Sequence, residues 1–151
     1  MNNLTLASSW HHTGVSVTDL AAAVGFYREN FGFEPVFEAL DMSELIQSIT
    51  GIPGLRADLV QCRLSTSETL LELIHFRNIP ADYRGQAPVE PGRSHVALLV
   101  PNLDQAVDQV LASGGQLIGE VTEFSEGWAV YLADPVGNVV ELEEAKPDDN
   151  P

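Results

Sequence analysis

The sequence is poor in basic residues. It has 7 Lys and Arg against 22 Asp and Glu in 151 residues, which gives a formal net charge of −15 at pH 7. The basic residues form no cluster, so the chain offers no positive surface for nucleic-acid phosphates or for an anionic membrane. We therefore expect neither nucleic acid nor a membrane as a partner.

Cysteine and long apolar runs are also scarce. A single cysteine, Cys62, excludes a disulfide within the chain, and it lies in a run that we interpret as a strand with a structural role for this side chain. No uncharged apolar stretch approaches the roughly 18 residues that a membrane span needs. Residues 1–10 lack a positively charged segment of the signal-peptide type, so we expect a cytoplasmic protein.

Hydrophobic residues, in contrast, are abundant. Hydrophobic residues make up 44% of the chain, which is enough for a packed core and excludes intrinsic disorder. The length of 151 residues corresponds to one domain, because domains usually contain roughly 100–200 residues.

An internal repeat organises this domain. Residues 12–24 align with residues 95–107 at a constant offset of 83, and both copies have His, Val, Leu, Ala and Val at equivalent positions. Each copy is typical of a strand, a capping residue and a helix, with Thr18 or Asp19 as the cap in the first copy and Asn102 in the second. The glycines that follow predict the end of each helix.

Strand-like runs follow each helix and predict a βαβββ module in each half. These runs are residues 34–39, 56–64 and 69–76 in the first half and residues 116–123, 128–133 and 138–143 in the second. Two short turn patterns, at residues 65–68 and 134–137, predict hairpins inside the modules. The fold class is therefore α+β.

The single domain divides into two modules and a linker. We predict module 1 at residues 9–76, a linker rich in Pro, Gly and charge at 77–93, module 2 at 94–144, and a tail at 145–151. Module 1 has an extra segment, residues 41–54, in which Leu45, Ile46 and Ile49 have helical spacing. We expect this segment to form a wall or lid of the pocket and to set its specificity.

Four residues at equivalent positions of the two modules predict a metal site. His12 and His95 share one position of the two first strands, while Glu72 and Glu141 each lie among aliphatic residues in the last strand of a module. A carboxylate in such a strand is costly to bury unless it is paired or coordinates a metal. Two histidines and two glutamates suit one divalent ion, Zn, Ni, Co, Mn or Fe, and leave positions open for water or substrate.

The motifs around these residues resemble those of the vicinal oxygen chelate superfamily. They are HTGVSVTDL at residues 12–20, FYRENFGF at 26–33 and DPVGNVVEL at 134–142. The superfamily includes glyoxalase I, methylmalonyl-CoA epimerase, fosfomycin-resistance proteins, extradiol dioxygenases and bleomycin-binding proteins. The resemblance covers nearly all of the chain. It implies two βαβββ modules that form a curved mixed sheet enclosing the active site.

In its ligand set the chain is most similar to glyoxalase I. The positions that bind the metal in four-ligand members match His12, Glu72, His95 and Glu141. Epimerases generally have a glutamine where this chain has Glu72. Extradiol dioxygenases mostly use two histidines and one glutamate, and bleomycin-binding proteins usually lack the metal positions.

The resemblance implies a metal-dependent lyase or isomerase of the glyoxalase I type. Its substrate would be a small α-oxo or α-hydroxycarbonyl compound, or the thiol adduct of one, and the reaction would move a proton next to a carbonyl. Glu141 or Glu72 is the expected catalytic base, with Glu141 preferred by resemblance. An Fe(II)-dependent extradiol-type dioxygenase, an epimerase-like enzyme and a non-catalytic drug-binding module remain the alternatives.

Further residues are candidates for the pocket and its surroundings. The candidate substrate contacts are Arg63, Phe76, Trp128 and Tyr131. His11 precedes His12, so we expect it to point to the opposite face of the strand. Because half-open sheets leave exposed edges, we also expect a homodimer. Whether the four metal ligands meet within one chain or across a dimer stays open.

Overall fold

In the computed structural model, the described residues form one mixed nine-stranded sheet with three helices. The structure describes residues 5–133 and 139–147, so the predicted turn at 134–137 lies outside the described residues. The elements are β1 (Ser9–Ser16), α1 (Leu20–Phe31), β2 (Glu34–Met42), α2 (Glu44–Thr50), β3 (Arg56–Arg63), β4 (Leu70–Arg77), β5 (Ser94–Leu99), α3 (Leu103–Ala112), β6 (Gln116–Leu117), β7 (Thr122–Glu123), β8 (Gly127–Ala133) and β9 (Val139–Ala145).

The sheet has the symmetry that the repeat predicts. Its strand order is β2-β3-β4-β1-β5-β9-β8-β6, with β7 also paired to β8. The first strands of the two halves, β1 and β5, pair antiparallel at the centre, and each pairs in parallel with the last strand of its own half. The prediction of an α+β fold with a mixed sheet built from two βαβββ modules is thus confirmed.

The helices begin and end where capping chemistry requires. Asp19, not Thr18, caps α1, because its side chain accepts a hydrogen bond from the backbone of Ala22 at 2.9 Å. Asn102 caps α3 in the same way. Gly32 ends α1 in the left-handed region at φ 79°, a conformation that costs glycine little.

The helices are divided between the two faces of the sheet. On one face, α1 covers a cluster around Val60, Cys62 and Leu73, and α3 covers a second cluster around Val130 and Leu132. We call this the outer face. Because side chains alternate along a strand, the intervening positions point to the inner face, where α2 packs in a third cluster.

Two predicted segments differ in detail from the structure. Residues 116–123, predicted as one strand, form the two short strands β6 and β7, because the chain between them turns to α2: the backbone N–H of Glu120 donates to the carbonyl of Ser48 at 3.1 Å. The predicted linker packs Ala87 and Val89 into the inner-face cluster. Among the described residues, no helix has the length and apolarity that crossing a membrane demands.

Candidate metal centre

Four adjacent strands at the centre of the sheet bring the predicted ligands together within one chain. The ligands and their strands are His12 on β1, Glu72 on β4, His95 on β5 and Glu141 on β9. In the register, Gly14 of β1 pairs with both Glu72 and His95, and Ala97 of β5 pairs with both His12 and Glu141. The internal repeat therefore places the four side chains around the axis that relates the two modules.

The four side chains form a compact buried group. His12 is 1% exposed, His95 3%, Glu72 5% and Glu141 7%. One ligand atom from each lies within 4.8 Å of the others. The two Nε2 atoms of His12 and His95 are 2.9 Å apart, and Oε1 of Glu72 lies 3.6 and 3.8 Å from them.

The position of Glu141 tests whether this group fits a metal ion. Its Oε2 lies 3.0 Å from Nε2 of His12 and 3.0 Å from Nε2 of His95. No aligned hydrogen bond from the described residues reaches this buried oxygen. Two imidazole nitrogens and a carboxylate oxygen thus converge on one point, and such a set of N and O ligands fits a divalent cation.

The electrostatics of the group favour a cation in it. Burial lowers the pKa of His12, but Glu72 and Glu141 outweigh burial and raise the pKa to about 10. Burial raises the pKa of Glu141, but the imidazoles of His12 and His95 outweigh it and hold the pKa well below its usual range. The glutamates thus require a positive charge among them, which a metal ion supplies in place of a proton.

A hydrogen bond from β3 orients one of the two glutamates. Gln61 pairs with Glu72 across the β3–β4 ladder, and its side-chain amide donates to Oε2 of Glu72 at 2.9 Å. This bond leaves Oε1 of Glu72 directed at the two histidines. Such a contact fixes a metal ligand in place.

The prediction that His11 points to the face opposite His12 is wrong. The register between β1 and β5 shifts between Trp10 and His12, so β1 contains one extra residue there and His11 turns toward the inner face. Its Nδ1 lies 2.8 Å from Nδ1 of His12 and 3.2 Å from Oε2 of Glu143. Burial and His12 lower the pKa of His11.

Glu143 is a site residue that sequence reasoning missed. Its Oε1 lies 3.5 Å from Nδ1 of His12, on the side of the ring opposite the predicted metal position. Burial, reinforced by Glu141, raises its pKa to about 9. The available signal was strand periodicity, because Glu143 follows Glu141 by two residues on β9 and so shares its face.

A cavity of about 420 Å³ lies beside the four predicted ligands. Tyr131, Glu72 and Glu141 belong to its walls, and Trp128 also lines it although its side chain packs against the outer-face cluster. Tyr131 also contacts the His95 ring, with ring centroids 5.2 Å apart. The extra segment of module 1 contributes an apolar wall to this cavity, as expected. The residues that line it are Met42, Leu45, Ile46 and Ile49.

The structure places two other candidate substrate contacts away from this cavity. Arg63 is the last residue of β3, so its side chain reaches solvent and lies 3.8 Å from Glu68. Phe76 is 5% exposed and packs in the inner-face cluster with Ala87 and Val89 of the linker. Neither is among the described residues that line the cavity, and neither is retained as a substrate contact.

The family follows from a sequence comparison. The family model described as the Glyoxalase/Bleomycin resistance protein/Dioxygenase superfamily matches residues 9–142. The chain belongs to this superfamily. The resemblance carried by the opening and closing motifs is thereby confirmed. No curated protein matches the sequence significantly.

Solved structures show the same fold at low sequence identity. Methylmalonyl-CoA epimerase from Mycobacterium tuberculosis is 22% identical with a TM-score of 0.68, covering 91% of this chain and 88% of the epimerase chain. A hypothetical protein from Bacillus halodurans C-125 is 16% identical with a TM-score of 0.67, covering 96% and 99%. A mutant 4-hydroxymandelate synthase from Streptomyces coelicolor is 12% identical with a TM-score of 0.64, covering 95% of this chain and 50% of the synthase. These superfamily relatives show the fold alone.

Proposed function

We propose that the protein is a divalent-metal-dependent lyase or isomerase of the glyoxalase I type. The observation that carries the proposal is the buried set of His12, Glu72, His95 and Glu141 at the wall of a cavity. This set would hold one Zn, Ni, Co, Mn or Fe ion. When bound, such an ion lowers the pKa of a C–H bond next to two neighbouring substrate oxygens and stabilises their negative charge.

The two glutamates have different environments, which supports different roles. Gln61 holds Oε2 of Glu72, so Glu72 is fixed as a ligand. Oε2 of Glu141 has no such donor among the described residues. We therefore assign proton transfer at the substrate carbon to Glu141, because no partner comparable to Gln61 fixes its Oε2 and a carboxylate that can move is suited to act as a general base.

The remaining cavity residues exclude water and position the substrate. Ile46 and Ile49 of α2 line one side, and Tyr131 of β8 lines another. A substrate that enters this cavity meets the metal ligands at its base and apolar side chains around its remainder. Exclusion of water strengthens each electrostatic contact at the reacting atoms.

Turnover of hemithioacetals tests this proposal. We expect metal-loaded protein to convert adducts of methylglyoxal or phenylglyoxal with a thiol into thioesters of the corresponding hydroxy acids. The thiol series should include glutathione and 2-mercaptoethanol. Glu141→Gln should reduce kcat by about 10²–10⁴-fold, the usual contribution of a general base. Glu38→Gln, an exposed change on β2, is the control and should leave kcat unchanged.

The alternatives predict other results. Oxygen-dependent ring cleavage of a catechol by iron-loaded protein would replace the proposal with a dioxygenase. Epimerisation of an acyl-CoA would show instead that the protein is an epimerase. Tight ligand binding that survives both chelation and Glu141→Gln would indicate a drug-binding module.

A further inference from the structure

We infer that the substrate carries its two chelating oxygens on an apolar, neutral or cationic group, and not on an anionic carrier such as glutathione or coenzyme A. This inference rests on the proposed function of the same site. Three features of the described residues support it: the apolar walls of the cavity, the sign of its polar lining, and the positions of the basic side chains.

The walls of the cavity away from the predicted ligands are mainly apolar. They include Phe37, Leu45 and Ile49 from module 1 and Phe124 and Tyr131 from module 2, three of which are aromatic. A volume of about 420 Å³ accommodates an aromatic or branched aliphatic group beside the predicted ligands.

Among the described residues, every titratable residue that lines the cavity is acidic or histidine. They are His11, Glu72, Glu126, Glu141, Glu143 and Glu144. A divalent ion would balance the charges of Glu72 and Glu141. The exposed Glu126 would remain beside the entering substrate, whereas the side chain of Glu144 turns to the outer face and accepts from the backbone N–H of Leu103 at 2.7 Å.

The basic side chains are engaged elsewhere. All seven lie in the described part of the chain, and none lines the cavity. Six are within 4.0 Å of a carboxylate: Arg28, Arg56, Arg63, Arg77, Arg93 and Lys146. The seventh, Arg84, donates to the carbonyl of Tyr83.

Lys146 approaches the cavity wall but is itself neutralised. Its Nζ lies 5.6 Å from the ring centroid of Trp128 and 2.8 Å from Oε1 of Glu123. An anionic substrate group would therefore enter a cavity that holds no free cation and several carboxylates. Burying an anionic group beside like charges and without a partner is unfavourable, so substrates that place such a group inside the cavity should bind weakly.

Hydroxamates of different charge test the inference by binding alone. Benzohydroxamate, its 4-carboxy derivative and its 4-aminomethyl derivative share one chelating group and one ring but differ in charge. We expect calorimetric titration of metal-loaded protein to show that the neutral and cationic probes bind at least about tenfold more tightly than the carboxylate. Equal or tighter binding of the carboxylate would overturn the inference. So would the absence of binding by all three to protein shown to hold a metal.

A pair of charge variants shows whether the preference belongs to the cavity. Glu126→Lys changes the charge at the cavity wall, whereas Glu29→Lys makes the same change on α1, which packs against the outer face. We expect the difference in affinity between the carboxylate probe and the other two probes to become smaller in Glu126→Lys and to remain unchanged in Glu29→Lys. If this difference became smaller by the same amount in both variants, the net charge of the protein would explain it. That result would contradict a cavity that selects its ligands by charge.

Failure of the proposed function has a different signature from failure of this inference. If no hemithioacetal reacts but the charge preference among hydroxamates holds, the reaction assignment fails and the substrate class stands. If only the glutathione adduct reacts, the reaction assignment stands and the substrate class fails.

Discussion

At the scale of single residues, Gly14 shows how closely the sheet is fitted to the proposed metal centre. Gly14 lies in the middle of β1, between its register partners Glu72 and His95. A Cβ added at this position would overlap the imidazole ring of His95. Glycine weakens a strand interior, so its presence here is explained by the ring that packs over its backbone.

Replacing Gly14 tests this explanation. Gly14→Ala should displace His95 from the ligand group and weaken metal affinity by about 10–100-fold, the cost typical of a disturbed ligand support. Competition with a chromophoric chelator measures the affinity. Gly25→Ala on α1, where an added Cβ meets nothing within 4 Å, is the matched control and should leave metal affinity unchanged. Unaltered affinity in Gly14→Ala would remove His95 from the ligand set.

The same scale shows why the sequence predicts some site residues and not others. His12, Glu72, His95 and Glu141 were predictable because the repeat equates their positions in pairs. His11 was not, because its orientation depends on one extra residue in β1, and no residue type marks that bulge.

At the scale of elements, α2 connects the two modules across the cavity. It belongs to module 1, but the hydroxyl of its Ser48 lies 2.8 Å from the hydroxyl of Thr122 on β7. The backbone carbonyl of Ser48 also accepts a hydrogen bond from the backbone N–H of Glu120. Gly119 lies against the backbone of Ile49, where an added Cβ would clash. The helix was predictable from its apolar spacing. Its attachment to module 2 was not, since hydrogen bonds between distant segments leave no local pattern.

An ion-pair cluster fixes the chain just before α2, and its pH dependence can be predicted. Oδ2 of Asp41 lies 2.6 Å from Nη2 of Arg56, and Oδ1 lies 2.9 Å from Nη2 of Arg77. These guanidinium groups lower the pKa of Asp41 to about 2. A carboxyl group whose pKa falls on folding stabilises the protein above its unfolded pKa of about 3.9, and this contribution is lost as pH falls to about 2.

Asp41→Asn should remove this contribution. We expect the variant to have a lower Tm than the parent protein at pH 7, by a small amount because the pair is exposed. The difference should shrink as pH falls from about 4 to 2. Thermal unfolding across that range measures it, with Asp108→Asn, an exposed change on α3, as the control. A difference that stays constant down to pH 2 would contradict the ion-pair account.

At the scale of the whole molecule, one chain completes the site, and a homodimer is not needed to form it. We nevertheless propose a homodimer, because the edge strand β2 exposes Val36 at 47% and Leu40 at 57%. Light scattering should give twice the chain mass of 16.4 kDa. The mass of a single chain at all concentrations would contradict the dimer.

The repeat made the two modules predictable but not how they join. Equivalent sequences predict equivalent modules, yet any exposed strand edge can pair with any other. The antiparallel pairing of β1 with β5 joins the modules into one sheet whose central strands carry the predicted ligands.

The net charge of −15 is also better understood, because Glu72, Glu141 and Glu143 belong to the buried site and not to the solvated surface.

The metal content of the purified protein tests the central claim most directly. Elemental analysis after loading and desalting should give about one divalent ion per chain. His95→Ala and Glu141→Ala should lose that ion while keeping a folded far-UV spectrum. His75→Ala, a change on the outer face of β4, should retain it. A parent protein without stoichiometric metal, or ligand variants that bind metal as the parent does, would contradict a metal centre built from these four residues.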